Sequence, residues 1–418
     1  MSGAAGEILF LAHRIPFPPD RGDKIRSHHL LKALAALAPV HVACFADDPA
    51  DAAAEPELAA LAASHCLVPR RKPMALAGLE ALARGRPVSL TAFADRRLAD
   101  YVARVLRERP ISAVFVFSGQ MGQYVPASWT GPLVVDFVDV DSAKFGAYAA
   151  AAHGLMRWVH GREERLLRAE EGRLAARADA SLLVSEPEAD LFRNRLAPGL
   201  QGRCTVRAIG NGIDAAFFAP DAVAPEPRLA ALAGPRLIFT GQMDYPPNEA
   251  AAVRAATRIM PLIRAVLPDA SFHVVGRMPT REVTALDGVN GCRVWGRVDD
   301  VRPWLCAADA ALVPLEIARG VQNKVLEAMA MTLPVVASPE AVTGIAVTPG
   351  ATIAVGATDA ELAAEVIALA GDPARATKMG QGARAQVVAA HAWPAMLAEL
   401  PGLLCLAADP ADGTRDAA

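Results

Sequence analysis

Short apolar runs rich in β-branched residues alternate with helix-length segments along this chain, and the alternation stops and then starts again, so two α/β layers are its simplest outcome. The first series opens with a strand at 7–12 (EILFLA). A helical pattern follows at 23–38, with Ile25, Leu30, Leu31, Leu34 and Leu37 on one face, and then a strand at 40–45. Further strands are predicted at 66–68, 113–117, 133–137 and 181–184. The stretch 142–177 reads as one long, charged, solvated helix. The second series runs through strands at 237–240, 271–275, 293–295, 310–313, 335–337 and 353–355. Its break from the first falls near Asn211-Gly212-Ile213-Asp214 and the Pro-bearing stretch 220–235.

At 418 residues the chain exceeds what one core organises, which predicts two domains of about 200 residues each. A net charge of -3 gives no global attraction for nucleic acid. The six cysteines form no CxxC pair and have no close His partners, so neither a zinc site nor a disulfide framework is expected, and a reducing cytoplasm fits them. No secretory signal is read at the start. The longest apolar stretch, 34–46, is broken by Pro39 and His41, so no spanning helix is expected either.

Three loops carry chemistry. After the first strand, residues 13–24 match neither GxGxxG nor a P-loop. Gly22 nonetheless leads into a helix N-terminus, and Arg21, Lys24 and Arg26 add cations that suit an anion. A Pro-rich surface loop with solvated basic residues explains the same letters. After the strand at 237–240, Gly241 allows close approach of a ligand to the backbone, while Asn248 suits the N-cap of a helix from 249. The third loop runs RGVQNKVLEAMA over 319–330. Glu327 sits there among Val325, Leu326, Ala328 and Met329, where a buried carboxylate needs donors, and two ribose hydroxyls would supply them. Lys324, three residues earlier and beside Asn323, shares its face and suits a diphosphate. An intrahelical Lys–Glu pair worth about 0.2–0.5 kcal/mol is the competing reading.

Taken together, these stretches resemble a family. The run from Val298 (VDDVRPWLCAADAALVPLEIARGVQNKVLEAMAMTLPVVAS) is similar to the C-terminal domain of group 4 retaining glycosyltransferases. FLAHRIPFPPDRGDKIRSHHLLKAL, VVDFVDVDSAKF, the NGID turn and the GQMDYPPN turn resemble more specifically the sugar transferases associated with PEP-CTERM/exosortase systems and exopolysaccharide production. The resemblance implies the GT-B fold: α/β, with two facing Rossmann-like domains. It implies an acceptor domain at 1–210, a nucleotide-sugar donor domain at 211–390, a closing helix at 391–406 crossing back to the first domain, and a disordered tail at 407–418. Gly22 and Arg26 would meet the donor from the first domain, and Gly241, Arg319, Asn323, Lys324 and Glu327 from the second, with the strand at 294–296 near the base.

The chain also departs from that family. Members usually carry two glutamates eight positions apart, and here Arg319 stands eight before Glu327; Gln242 and Pro247 stand where an Arg and a Lys are usual. Ser118-Gly119 stands where a His is common, leaving Asp139, Asp23 and His28 as candidates to assist the acceptor. The implied activity is transfer of a sugar from a nucleoside-diphosphate donor, with retention, to a glycan or lipid-linked acceptor. No cofactor or metal is expected, since Asp139-Val140-Asp141 has DxD spacing in a different context. A nucleotide-sugar 2-epimerase and a degenerate nucleotide-sugar-binding paralogue stay open as alternatives. So does the surface around Arg70-Arg71-Lys72, Arg84, Arg86, Arg96 and Arg97, interleaved with Leu76, Leu79, Leu82, Leu90 and Phe93: it reads either as a solvated face or as a peripheral contact with the inner membrane.

Overall fold

A computed structural model describes residues 6–318 and 321–406 and divides the chain into two compact units. The first comprises residues up to Asn211 together with those from Leu397 onward, and the second runs from Gly212 to Met396.

In the first unit, β1 (Glu7–Ala12), β2 (Val40–Ala46), β3 (Ser64–Pro69), β4 (Ile111–Phe117), β5 (Leu133–Val138), β6 (Ala180–Leu183) and β7 (Val206–Ala208) form one sheet in the order β3-β2-β1-β4-β5-β6-β7. Every pairing is parallel, and β1 and β2 are buried throughout, as strands covered on both faces must be. Four helices of this unit matter below: α1 (Gly22–Leu37), α2 (Met74–Arg84), α3 (Asp141–Ala151) and α4 (Gly154–Ala175). The single helix expected over 142–177 is thus two, because Gly154 takes a left-handed φ of 57° and breaks the run. Nor is α4 merely a solvated helix. Its buried Glu163 accepts hydrogen bonds from Val88 N (2.8 Å), Ser89 N (2.8 Å) and Ser89 Oγ (2.7 Å).

The second unit repeats the plan. β8 (Arg236–Thr240), β9 (Ser271–Val275), β10 (Cys292–Gly296), β11 (Ala310–Val313), β12 (Val335–Ala337) and β13 (Ala354–Val355) order as β10-β9-β8-β11-β12-β13, again all parallel. Helices α5 (Pro246–Arg254) and α6 (Asn323–Ala330) follow β8 and β11. The strand order reverses between β8 and β11, and in such sheets the crevice beyond the carboxyl ends at that point is where ligands sit. In place of one closing helix at 391–406, the chain makes two short ones, Trp393–Met396 and Leu400–Leu403, each with a proline in its first turn. The tail at 407–418 lies outside the described residues.

Candidate functional site

The crevice at the reversal is a cleft of about 610 Å³, and four loops wall it. Thr240 ends β8 and Gly241 and Gln242 follow it; Val275 ends β9 and Gly276 and Arg277 follow it; Arg297, Val298, Asp299 and Val301 follow β10; Val321, Asn323, Lys324 and Glu327 follow β11. Backbone bonds join the first three loops. Gly241 N donates to Val275 O (3.2 Å), Met243 N to Arg277 O (2.9 Å), and Gly276 N to Gly296 O (2.8 Å). A Cβ at Gly276 would lie 1.7 Å from Gly241 O, so only glycine lets these two loops touch. Gly276→Ala is accordingly expected to push the β8 loop off its neighbour and weaken nucleotide binding at least about tenfold, measured by calorimetry, with the melting temperature also lowered. Gly241 has φ +152°, and a Cβ there would crowd Asn248 Nδ2 at 2.9 Å and Lys324 Cε at 3.3 Å.

Asn248 does not cap a helix. The helix begins at Pro246 with Tyr245 as N-cap, because proline at the first helical position needs no N–H partner. The buried Asn248 amide instead donates to Gln242 O (2.9 Å) and accepts from Lys324 Nζ (2.8 Å), tying α5, the β8 loop and α6 together. Lys324 Nζ also lies 5.3 Å from the centre of the Phe239 ring. Burial lowers its pKa to about 8, with Glu327 pulling the other way. Burial raises the Glu327 carboxyl to about 7, opposed by Lys324. No ion pair joins the two side chains, and the carboxylate has no hydrogen-bond partner among the described residues. The competing intrahelical-pair reading therefore does not hold. What lines the cleft is an anchored ammonium and a carboxylate with open acceptor sites.

Arg277, exposed at the mouth of the β9 loop, donates from Nη2 to Gln242 Oε1 (2.8 Å). Sequence reasoning missed it, because its partner Gln242 is 35 positions away. The cleft wall after β10 begins at Arg297. Trp295, expected near the base, does not line the cleft: its Nε1 donates to Nδ1 of the buried His273 (3.1 Å), and its ring packs 4.7 Å from that of Trp304. Arg319 lies outside the described residues. Glu316, eleven before Glu327, is held by Arg258 at 3.4 Å.

In the first unit the expected anion ligands turn inward. Arg26 is buried, with Nε on Asp136 Oδ2 (2.8 Å) and Nη1 on Gly210 O (3.2 Å) and Asn211 Oδ1 (3.1 Å). Lys24 is buried on Asp51 and on Phe17 O (3.2 Å). Their expected role as ligand cations thus gives way to a structural one, since a buried cation pairs inside the protein where a carboxylate is available. Gly22 is exposed at the start of α1, and a Cβ there would meet nothing within 4 Å. The three acceptor-side candidates are engaged separately. Asp23 accepts from Arg14 Nη1 (2.6 Å) and lies 3.3 Å from His13; burial pushes its carboxyl up, but these partners pull it well below the usual range, which suits a fixed anion more than a proton acceptor. His28 packs edge-on against Phe17 (4.8 Å), and Asp139 accepts from Lys144 Nζ (2.9 Å) just past β5.

Comparison with known proteins agrees with this geometry. Residues 234–372, which contain every residue lining the cleft, match the family model described as glycosyl transferases group 1. No curated protein matches the chain in sequence. Among solved structures, HepE from Anabaena in complex with UDP aligns with TM-score 0.60 at 14% identity, covering 96% of this chain and 99% of that one. Sucrose-phosphate synthase from Thermosynechococcus elongatus aligns with TM-score 0.56 at 17% identity, covering 95% and 98%. WaaG, a glycosyltransferase involved in lipopolysaccharide biosynthesis, aligns with TM-score 0.53 at 15% identity, covering 95% and 99%. With a group 1 glycosyl transferase domain in its second unit and two parallel sheets that match these GT-B structures, the chain is a glycosyltransferase of the GT-B fold.

Proposed function

We propose that the chain is a group 4 retaining enzyme that transfers a sugar from a nucleoside-diphosphate donor, without a metal, to a glycan or lipid-linked acceptor in exopolysaccharide assembly of the PEP-CTERM/exosortase kind. The single observation that carries the donor half of this reading is the placement of Lys324, anchored by Asn248, one turn from Glu327, whose carboxylate has no hydrogen-bond partner among the described residues of the cleft. Lys324 and Arg277 take the diphosphate, and Glu327 accepts from the ribose hydroxyls. Arg277 on its Gln242 tether supplies the cation that the β8 loop lacks. The HepE complexes hold UDP and UDP-glucose, which favours UDP-sugars as the donors to test first. In the reaction the bond from the anomeric carbon to the diphosphate oxygen breaks and its electrons leave with the diphosphate. The acceptor oxygen bonds to the same carbon, and its proton passes to the departing diphosphate or to water. Stabilising the departing charge is then the main catalytic task, and a fixed ammonium does it without reorganisation.

The test is a panel of nucleotide sugars incubated with membrane extract. Nucleoside diphosphate released only when acceptor is present supports transfer, release of a 2-epimer without acceptor supports the epimerase, and binding without turnover supports a degenerate paralogue. Proton NMR of the anomeric position in the product checks retention. Donor affinity should also depend on pH in a particular way. The Lys324 ammonium discharges above about 8, so affinity falls as pH rises through that value. The Glu327 carboxyl takes up a proton below about 7, so affinity falls as pH drops through that value. Calorimetry with a nucleotide sugar, whose diphosphate diester does not titrate in this range, is expected to give tightest binding between the two. Lys324→Gln should remove the alkaline limb and Glu327→Gln the acid one.

A further inference from the structure

The helix α2 is built inside out. Its inward residues are the small Ala77 and Ala81, both fully buried, whereas its outward arc at the helical period of about 3.6 is Ala75, Leu76, Leu79, Leu82 and Ala83. Leu76 and Leu82 are 53% exposed and Leu79 67%, with Met74 at 59% beside them. That arc carries no charge. A second exposed apolar edge lies on a helix tied to α2. Arg162 of α4 donates from Nη2 to Ala81 O (2.8 Å) and from Nη1 to Arg86 O (3.1 Å), fixing α4 against the C-terminal end of α2. Leu155 and Trp158 lie on the same face of α4 as Arg162, two turns and one turn earlier, and are 74% and 55% exposed. Exposed large side chains scattered singly need no explanation, but sets of them on two helices tied together by Arg162 do.

Charge identifies the occupant. Between positions 70 and 86 stand five cations, Arg70, Arg71, Lys72, Arg84 and Arg86, against the single carboxylate Glu80, in a chain whose net charge is -3. Arg70 is committed to Asp47 (2.5 Å), and Lys72 (3.0 Å) and Arg84 (3.2 Å) share the one carboxylate Glu80, so positive charge stays in excess: Arg71 is exposed at one end of α2, Arg84, 62% exposed, at the other, and Arg157 is exposed on α4. Leu90, by contrast, is buried and takes no part. An isologous dimer through this face would set the same cations against one another. We propose that α2 and the first turns of α4 form a docking face for an anionic lipid bilayer, the leucines and Trp158 entering the headgroup boundary while Arg71, Arg84 and Arg157 meet lipid phosphates. The cleft of the second unit plays no part in this argument, so the two proposals fail separately.

The experiment is co-sedimentation of the full chain with phosphatidylcholine vesicles, with and without phosphatidylglycerol. Binding that requires phosphatidylglycerol, weakens with salt and drops at least about tenfold in Leu79→Glu/Leu82→Glu is expected. A blue shift of tryptophan fluorescence on adding vesicles should vanish in Trp158→Phe, which retains binding. Circular dichroism and melting temperature show whether the Glu variant stays folded; should it not, Arg71→Glu/Arg84→Glu replaces it with the same expected loss. Three results would overturn the proposal: absence of phosphatidylglycerol-dependent binding by the unaltered chain, equal binding by the folded variants, and a concentration-dependent dimer abolished by the same substitutions.

Discussion

Lys324→Ala is expected to lower kcat/KM by about 100- to 1,000-fold while leaving the fold intact, the loss typical of removing one preorganised group that meets developing charge. The side chain reaches the cleft from the first turn of α6, and its hydrogen-bond partners among the described residues, Asn248 at 2.8 Å and Gln322 at 3.4 Å, are neutral. Truncation breaks no ion pair among the described residues, and Glu327, which loses the pull of Lys324, can take up a proton rather than stay charged, so the melting temperature should move little. Arg277→Ala, removing an exposed arm, is expected to cost nearer tenfold, mainly in KM. The measurement is steady-state kinetics with varied donor at saturating acceptor. Undiminished kcat/KM in folded Lys324→Ala would remove α6 from the chemistry.

Asp136→Ala is expected to destabilise the first unit by about 3–5 kcal/mol, because it leaves the Arg26 guanidinium buried without its carboxylate. The pair is fully enclosed; burial pushes the Asp136 carboxyl up while Arg26 pulls it back. Asp136 also accepts from Val138 N (3.0 Å), and Val138 holds a φ of 69°, a left-handed conformation that a β-branched residue ordinarily avoids. Ser118, at the end of the neighbouring strand, has φ 76° and donates its N–H to Asp136 O (2.8 Å). Losing the carboxylate thus removes a counter-charge and a restraint on a strained turn together. The double change Arg26→Met/Asp136→Leu should recover a large part of the loss in urea unfolding, since an apolar pair of similar volume carries no desolvation cost. A double variant as unstable as the single one would show that the bonds of Arg26 to Gly210 and Asn211 dominate instead.

The sheets were easier to read than the site. Among the described residues, twelve of the thirteen strands stand out as apolar runs, because a parallel strand buried on both faces leaves no room for polar alternation. The one missed, β7, is three residues at a sheet edge with Arg207 at its centre, and so lacks that signal. The pairing of Lys324 and Glu327 was legible because one helical turn is a fixed offset. Asn248 was assigned to the wrong job, since local chemistry fits a cap as well as the long-range bond it makes to Lys324, 76 positions away. Lys24 and Arg26 misled for the same reason. A basic residue after a Pro-rich loop looks solvated until Asp51 and Asp136, 27 and 110 positions distant, arrive beside it. Contacts that close over such separations leave no periodic trace in a single sequence.

The membership of Leu397–Leu406 in the first unit sets an order on biosynthesis. Leu397, Leu400 and Leu404 are buried, and Glu399 pairs with Arg207 at 2.6 Å. A ribosome delivers these residues only after the whole second unit has emerged, so the half that begins first is finished last. Until then a nascent chain carries an uncovered apolar surface on its earlier half, where chaperones would bind, and a premature stop near 396 harms the beginning of the protein more than its end.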